Sequence, residues 1–202
     1  MCPGGVVVPT PTEPGMQCTN GMSNSSRSSP LANAGIVLAV SPEDFAAEGF
    51  TGPLAGLEWQ RKWERAAYEL GRGGFRAPAQ RLAAWLKGKQ GQAPGRSSYR
   101  PGLTHVDLEP LYPPQVKAAL RAGLRAFDKR MRGFVTDEAV LIGVETRTSS
   151  PCRLVRGADL QSPALRGVYP CGEGAGYAGG IVSSAVDGLK VAEVIGAELG
   201  PA

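Results

Sequence analysis

The sequence is poor in the residues from which metal sites and disulfide frameworks are built. It has a single histidine and four cysteines among 202 residues, and no two cysteines form a Cys-x-x-Cys pair. A structural zinc site draws four ligands from closely spaced cysteines and histidines, so we expect no metal site. The same scarcity of paired cysteines favours a reducing compartment over secretion.

Long apolar runs and a strong charge imbalance are also missing. No stretch is long enough for a membrane-spanning helix, and no basic region followed by an apolar core suggests a signal peptide. The net charge is only +4, and basic residues such as Arg121 and Arg125 are spread along a predicted helix as on a solvated face. We therefore predict a soluble intracellular protein without a membrane or nucleic-acid partner.

Glycine and proline are abundant, with 28 and 17 residues, and the glycines are concentrated in residues 167–188 (GVYPCGEGAGYAGGIVSSAVDG). A short strand at Val168 and Tyr169 is predicted to lead into a glycine turn, which opens into a helix over residues 179–199. Such a turn brings bare backbone close to a cofactor and directs a helix N-terminus at it. The alternative is a turn that only lets the strand and the helix pack closely.

The glycines at 174, 176 and 179 match the dinucleotide-binding fingerprint Gly-x-Gly-x-x-Gly. That fingerprint opens a βαβ unit, in which an acidic residue about 20 positions on, at the end of the next strand, holds the ribose. Here the residues after Gly179 are almost all taken up by the predicted helix, and Glu198, near the required offset, falls within it. We therefore expect the turn to be the closing half of a cofactor site.

The hydrophobic pattern predicts the remaining elements. Strands are expected at residues 5–8, 36–40 and 139–144, and helices at residues 53–70, 76–89 and 114–131. Ser41 followed by Pro42 is typical of a helix start, and residues 88–102 read as an exposed loop. The composition changes near residue 135 from helix-rich and basic to strand- and glycine-rich, which places a domain boundary there.

Two stretches carry a family resemblance, residues 143–151 (GVETRTSSP) and residues 167–181 (GVYPCGEGAGYAGGI). They resemble the C-terminal part of the uncharacterised FAD-dependent dehydrogenases, NAD(P)/FAD-dependent oxidoreductases of bacteria and plastid-bearing organisms. Shorter segments match the same family in the same order, at residues 1–6, 19–23, 98–102 and 133–134. The resemblance implies an α/β and α+β fold that is incomplete. Residues 1–135 would form an inserted substrate-type α+β domain, and residues 136–202 the C-terminal strand–turn–helix part of a split FAD/NAD(P)-binding Rossmann-like domain.

The resemblance also implies a function, that of a fragment of an FAD-dependent oxidoreductase with NAD(P)H as a conceivable co-substrate. In that family the unit binding the AMP half of FAD lies near the N-terminus of a much longer polypeptide. We therefore expect the chain alone to be colourless and inactive, with an upstream FAD-binding fragment as its partner. The alternative is a catalytically inactive remnant or a partner-binding domain. The substrate is an unknown small molecule, and cytoplasm and plastid are both open.

The resemblance assigns candidate residues to the site, while the catalytic residues stay unknown. Those expected to bind the cofactor are Gly172, Glu173, Gly174, Tyr177, Gly179, Gly180 and Ile181, and those expected to bind substrate are Arg147 and Thr148. Other roles are open: Glu173 can interact with the helix N-terminus, Arg147 can mark a domain junction, and Tyr177 can pack in the core. Cys171 and Cys2 are candidate redox thiols, although Cys171 is more typical of a small buried strand residue.

Overall fold

The computed structural model describes residues 3–200, so Cys2 lies outside the described residues. It is a mixed α/β structure with small sheets, as expected of an α+β protein. The elements, in chain order, are β1 (Gly5–Pro9), β2 (Thr19–Ser23), α1 (Pro42–Ala47), α2 (Ala55–Leu70), β3 (Ala77–Arg81), α3 (Leu82–Leu86), β4 (Leu103–His105), α4 (Pro114–Arg130), β5 (Val140–Ile142) and α5 (Ile181–Leu199).

The strands form two separate sheets. Strands β1 and β2 pair antiparallel, with Val7 opposite Gly21. The second sheet has the order β4-β3-β5, in which β3 runs parallel to β4 and antiparallel to β5. Its central strand consists largely of small residues, and Ala79 at its middle is fully buried between His105 and Ile142.

Several predicted elements are confirmed to within a few residues. Helices α2, α4 and α5 lie where the apolar spacing predicted them, and the strands predicted at residues 5–8 and 139–144 are present as β1 and β5. Helix α1 begins at Pro42, with a capping box in which the Ser41 N–H donates to the Asp44 carboxylate at 2.8 Å. Residues 88–102 contain neither helix nor strand.

Three predicted elements are wrong. The helix predicted at residues 76–89 is strand β3 followed by the short helix α3, because pairing with β4 and β5 overrides the helix propensity of the alanines. Residues 36–40 form no strand. Val168 and Tyr169 also form no strand, since the Ser162 N–H donates to the Val168 carbonyl oxygen in a local turn at 2.7 Å.

The described chain divides into two compact units, each built from two segments. The first unit contains residues 3–40 and 60–146, and the second contains residues 41–59 and 147–200. Strand β5 therefore pairs within the first unit. The assignment of residues 1–135 and 136–202 to two domains of a longer protein stays a prediction.

The hydrophobic core of the first unit lies beneath the second sheet and against helices α2, α3 and α4. Its fully or nearly buried members are Ala67, Leu82, Trp85, Leu108, Leu111, Leu124 and Val144. Helix α4 contributes Leu124 from the predicted apolar stripe, while Phe127 and Met131 near its end are 38% and 46% exposed. The stripe therefore points inward over its first turns and leaves the core toward its C-terminus.

Gln80 on β3 links this core to two loops. Gln80 is 1% exposed; its Nε2 donates to the Lys89 carbonyl oxygen at 2.7 Å and its Oε1 accepts the Leu108 N–H at 3.0 Å.

Gln80→Leu leaves the buried Leu108 N–H without an acceptor, and we expect the free energy of unfolding to fall by about 1–3 kcal/mol in urea titrations. Gln92→Leu, on an exposed loop, is the control. Equal loss in both variants would contradict the role given to Gln80.

Candidate functional site

The glycine turn of the second unit spans residues 172–177 and leads toward α5. Two of its glycines are required by the chain's own backbone. Gly172 and Gly176 have φ angles of +69° and +81°, in the left-handed region that side chains disfavour. A Cβ on Gly176 would also lie 2.6 Å from the Cys152 carbonyl oxygen. The turn is closed by a hydrogen bond from the Tyr177 N–H to the Gly172 carbonyl oxygen at 3.0 Å.

Three other glycines are not required by the fold. Gly174, Gly179 and Gly180 are exposed and have no left-handed φ. A Cβ on Gly174 would meet nothing within 4 Å, one on Gly179 only the Ser149 hydroxyl at 3.5 Å, and one on Gly180 the Ser183 hydroxyl at 3.3 Å. Their missing Cβ atoms therefore leave bare backbone at the surface.

An ion pair between Arg156 and Asp187 holds the turn in place. Asp187, on α5, accepts the Gly172 N–H at 2.8 Å and two guanidinium hydrogen bonds from Arg156 at 2.7 and 2.9 Å. Arg156 also donates to the Pro170 carbonyl oxygen at 2.8 Å. The hydrogen bond from Arg156, aided by that from Gly172, lowers the pKa of Asp187 to about 2. Both side chains are largely buried, so the pair fixes the entry to the turn.

Tyr177 packs between two arginines of the segment that runs beside the turn. The Arg156 guanidinium lies 3.8 Å and that of Arg153 5.0 Å from the ring centroid, and the Tyr177 hydroxyl accepts the Arg156 backbone N–H at 3.1 Å. These contacts make Tyr177 part of the packing of the turn. Its assignment to the cofactor stays a prediction.

The segment that follows β5 also reaches this turn. Arg147 and Thr148 are exposed; Ser149 lies beside Gly179, and the Ser150 hydroxyl donates to the Gly174 carbonyl oxygen at 3.2 Å. The second unit thus brings the two predicted groups of site residues into one neighbourhood.

The start of α5 is open. Gly180 is its N-cap and supplies no side-chain hydrogen bond, so the first N–H groups of the helix carry partial positive charge at the surface. Ile181 is 93% exposed. Just behind it, the Ser184 hydroxyl is buried and has no hydrogen-bond partner within residues 3–200. An acceptor-rich group bound at this end would find the exposed backbone N–H groups.

Sequence reasoning missed Arg153, Arg156 and Asp187. Asp187 is one of three acidic residues of α5, and nothing in its sequence neighbourhood distinguishes it from Glu193 and Glu198. The prediction that Cys171 is a small buried strand residue is wrong, because its side chain is exposed and lies in no strand. Glu198 does lie within α5, as expected, and accepts a hydrogen bond from the Tyr169 hydroxyl.

Within residues 3–200, no helix combines the length and the apolar character needed to cross a bilayer.

Comparisons with known proteins give the chain a family context. Residues 1–148 match a family model described as "FAD-dependent protein, C-terminal domain-like". An uncharacterised protein of Clostridium beijerinckii is 46% identical over 197 residues, which is 96% of this chain and 36% of that relative. The chain therefore spans little more than a third of the relative that it matches.

Proposed function

The chain belongs to the family of FAD-dependent proteins that share this C-terminal domain, and from that membership we propose that it holds the flavin end of FAD in an oxidoreductase. The observation that carries the proposal is the row of exposed glycines, Gly174, Gly179 and Gly180, beside the uncapped start of α5. Neither backbone strain nor internal packing requires glycine there, and we attribute their lack of side chains to the close approach of a ligand to the turn.

The donor groups at this end suit a flavin. The cofactor-binding set is Gly172, Glu173, Gly174, Tyr177, Gly179, Gly180 and Ile181. Exposed backbone N–H groups at the start of α5 favour negative charge, and the exposed Glu173 carboxylate offers an acceptor for hydroxyl groups. FAD, when bound, supplies an electron acceptor that the side chains lack. The protein's own part is to bind and orient that group and to bias its charge.

We extend the proposal to the substrate and to the rest of the polypeptide. Arg147 and Thr148, exposed beside the turn, would bind an anionic group of a small-molecule substrate. The AMP half of FAD would be held by a part of the longer protein outside the matched region, because the relative extends well beyond it. The second unit would then complete a split Rossmann-like domain, and NAD(P)H would serve as co-substrate.

One observation favours a second candidate, a domain whose role is to bind a protein partner. Helix α5 exposes several of the apolar residues predicted to face inward, with Ile181 at 93%, Leu189 at 65% and Leu199 at 81%, whereas Val191 is buried. Exposed apolar patches of this kind mark interaction surfaces.

A titration with three ligands separates the two candidates. We expect FAD and riboflavin 5′-phosphate to bind the purified chain with similar affinity, and AMP not to compete, because only the flavin end is held. Quenching of flavin fluorescence measures the binding, which is expected to be too weak to survive gel filtration. Competition by AMP, or the absence of any saturable quenching, would contradict the flavin proposal and leave the partner-binding domain as the better account.

A further inference from the structure

One short run of the first unit has the composition of a strand but pairs with nothing. Residues 36–40 read Ile-Val-Leu-Ala-Val. Apolar and β-branched residues that follow one another without a polar interruption are typical of a strand covered on both faces. Among residues 3–200, however, the backbone N–H and carbonyl groups of this run have no hydrogen-bond partner. The sequence therefore specifies a strand that the described part of the chain does not complete.

The run is anchored to the first unit at one end and exposed over most of its length. Ile36 packs against the hydrophobic core, whereas Val37 and Leu38 are 50% and 41% exposed. Apolar side chains gain free energy when they leave water, and the backbone groups beside them are the ones through which neighbouring strands pair. An added strand would therefore satisfy the backbone and shield part of the apolar surface at once.

The run also lacks the features that protect a strand edge meant to face water. Natural proteins place charged side chains, proline or bulges on such edges to prevent pairing with other chains. Residues 28–42 contain no charged side chain, and residues 31–41 contain no proline. A segment of this kind has the sequence of a strand that is covered in the complete protein.

The length of the relative indicates where the covering strand lies. This chain matches 36% of the Clostridium beijerinckii protein, so nearly two thirds of that polypeptide lies outside the match. A second copy of this chain is a poorer occupant, because a five-residue strand is only about 17 Å long, whereas stable interfaces between separate chains bury roughly 1,200–2,000 Å². A strand of the same polypeptide needs no such area, since its effective concentration is high.

We propose that residues 36–40 form a β-strand in the longer protein, by pairing with a strand from the part of the polypeptide outside this chain. The main-chain hydrogen bonds hold the two strands together, and the side chains of Val37 and Leu38 are buried in the process. The proposal does not depend on the flavin site, because the run belongs to the first unit and the glycine turn to the second.

Hydrogen exchange read residue by residue in a mass spectrometer tests the proposal. The two samples are the full-length Clostridium beijerinckii relative and the piece of it that this chain matches. We expect the amides aligned with residues 36–40 to exchange about 100-fold more slowly in the full-length protein, as amides of paired strands do. Amides aligned with β3 should be equally protected in both, which verifies that the piece is folded. Equal exchange of the run in the two samples overturns the proposal, and so does slow exchange in a piece that is dimeric by light scattering.

A charged residue in the run gives a second measurement, which does not require the piece to fold. Lysine at the position aligned with Leu38 should lower the melting temperature of the full-length relative by about 4 °C or more, because the charge would be buried beside the added strand. Lysine at the position aligned with Gln92, on an exposed loop, is the control and should not lower it. In this chain alone Leu38→Lys should leave the melting temperature unchanged, because Leu38 is exposed. A full-length relative that tolerates lysine equally at both positions would contradict the pairing.

Discussion

Gly179→Val and Gly180→Val are each expected to weaken flavin binding about 100-fold, and Gly179→Val should leave the melting temperature of the chain unchanged. The branched side chain would cover the exposed backbone at the start of α5 and deny the ligand about two N–H hydrogen bonds, together worth ~2–3 kcal/mol. The fold accepts either side chain, since neither glycine has a left-handed φ and an added Cβ meets only a serine hydroxyl. Valine is disfavoured at the N-cap, however, so the unchanged melting temperature is expected of Gly179→Val, and Gly180→Val should lower it slightly. Fluorescence titration and thermal unfolding measure the two effects separately.

Gly196→Val is the matched control. It lies on the same helix, is exposed, and an added Cβ there meets nothing within 4 Å. It should bind flavin as the native chain does. Flavin binding that survives valine at both Gly179 and Gly180 would remove these glycines from the site, and a lowered melting temperature of Gly179→Val would show that Gly179 serves the fold instead.

Asp187→Ala is expected to release the glycine turn. The substitution leaves the Arg156 guanidinium and the Gly172 N–H without their shared acceptor, and a largely buried charge without its partner is strongly unfavourable. We expect hydrogen exchange at the Gly172 amide to accelerate about tenfold or more, as expected of a lost hydrogen bond, and flavin binding to fall with it. Glu193→Ala, on an exposed position of the same helix, should change neither quantity.

Acid should reproduce this release. Because the folded pKa of Asp187 is lowered from 3.8 to about 2, the ion pair stabilises the turn above the unfolded pKa. That stabilisation is lost as the pH falls from about 4 through about 2. In Asp187→Asn, the Gly172 amide should be only weakly protected from hydrogen exchange at neutral pH, and this protection should not change across that pH window. A native chain whose Gly172 protection is flat between pH 4 and 2 would show that the pair does not hold the turn.

Sequence reasoning succeeded where the signal was local. The apolar spacing of residues 114–131 and the density of glycine before α5 each reflect a single element, so the helix and the turn could be predicted. Strand β3 could not, because its Ala-Pro-Ala-Gln sequence becomes a strand only through pairing with β4 and β5. The Arg156–Asp187 pair joins residues 31 positions apart, a separation that no local pattern reveals.

The family resemblance predicted the membership of the chain, whereas the roles of the individual glycines follow from the structure. The membership inferred from the quoted segments is confirmed, although the matching family model covers residues 1–148 and not the glycine turn. The division of the glycines into those that the backbone needs, such as Gly176, and those that it does not, such as Gly179, required coordinates. The glycines that the backbone does not need define the surface to which we assign the cofactor.

The segmented second unit has a consequence for the order of folding during synthesis. Residues 41–59 leave the ribosome well before residues 147–200, with which they pack; the Cys152 thiol, for example, donates to the Pro53 carbonyl oxygen at 3.5 Å. The first unit can finish its contacts once residue 146 has emerged, whereas α1 must wait for the segment 147–200. Bringing these two segments together closes a loop of the chain, and the entropic cost of that closure grows only slowly with the loop's length. The late packing of α1 is therefore set by the order of synthesis. The nascent chain therefore carries residues 41–59 without their packing partners while the first unit folds.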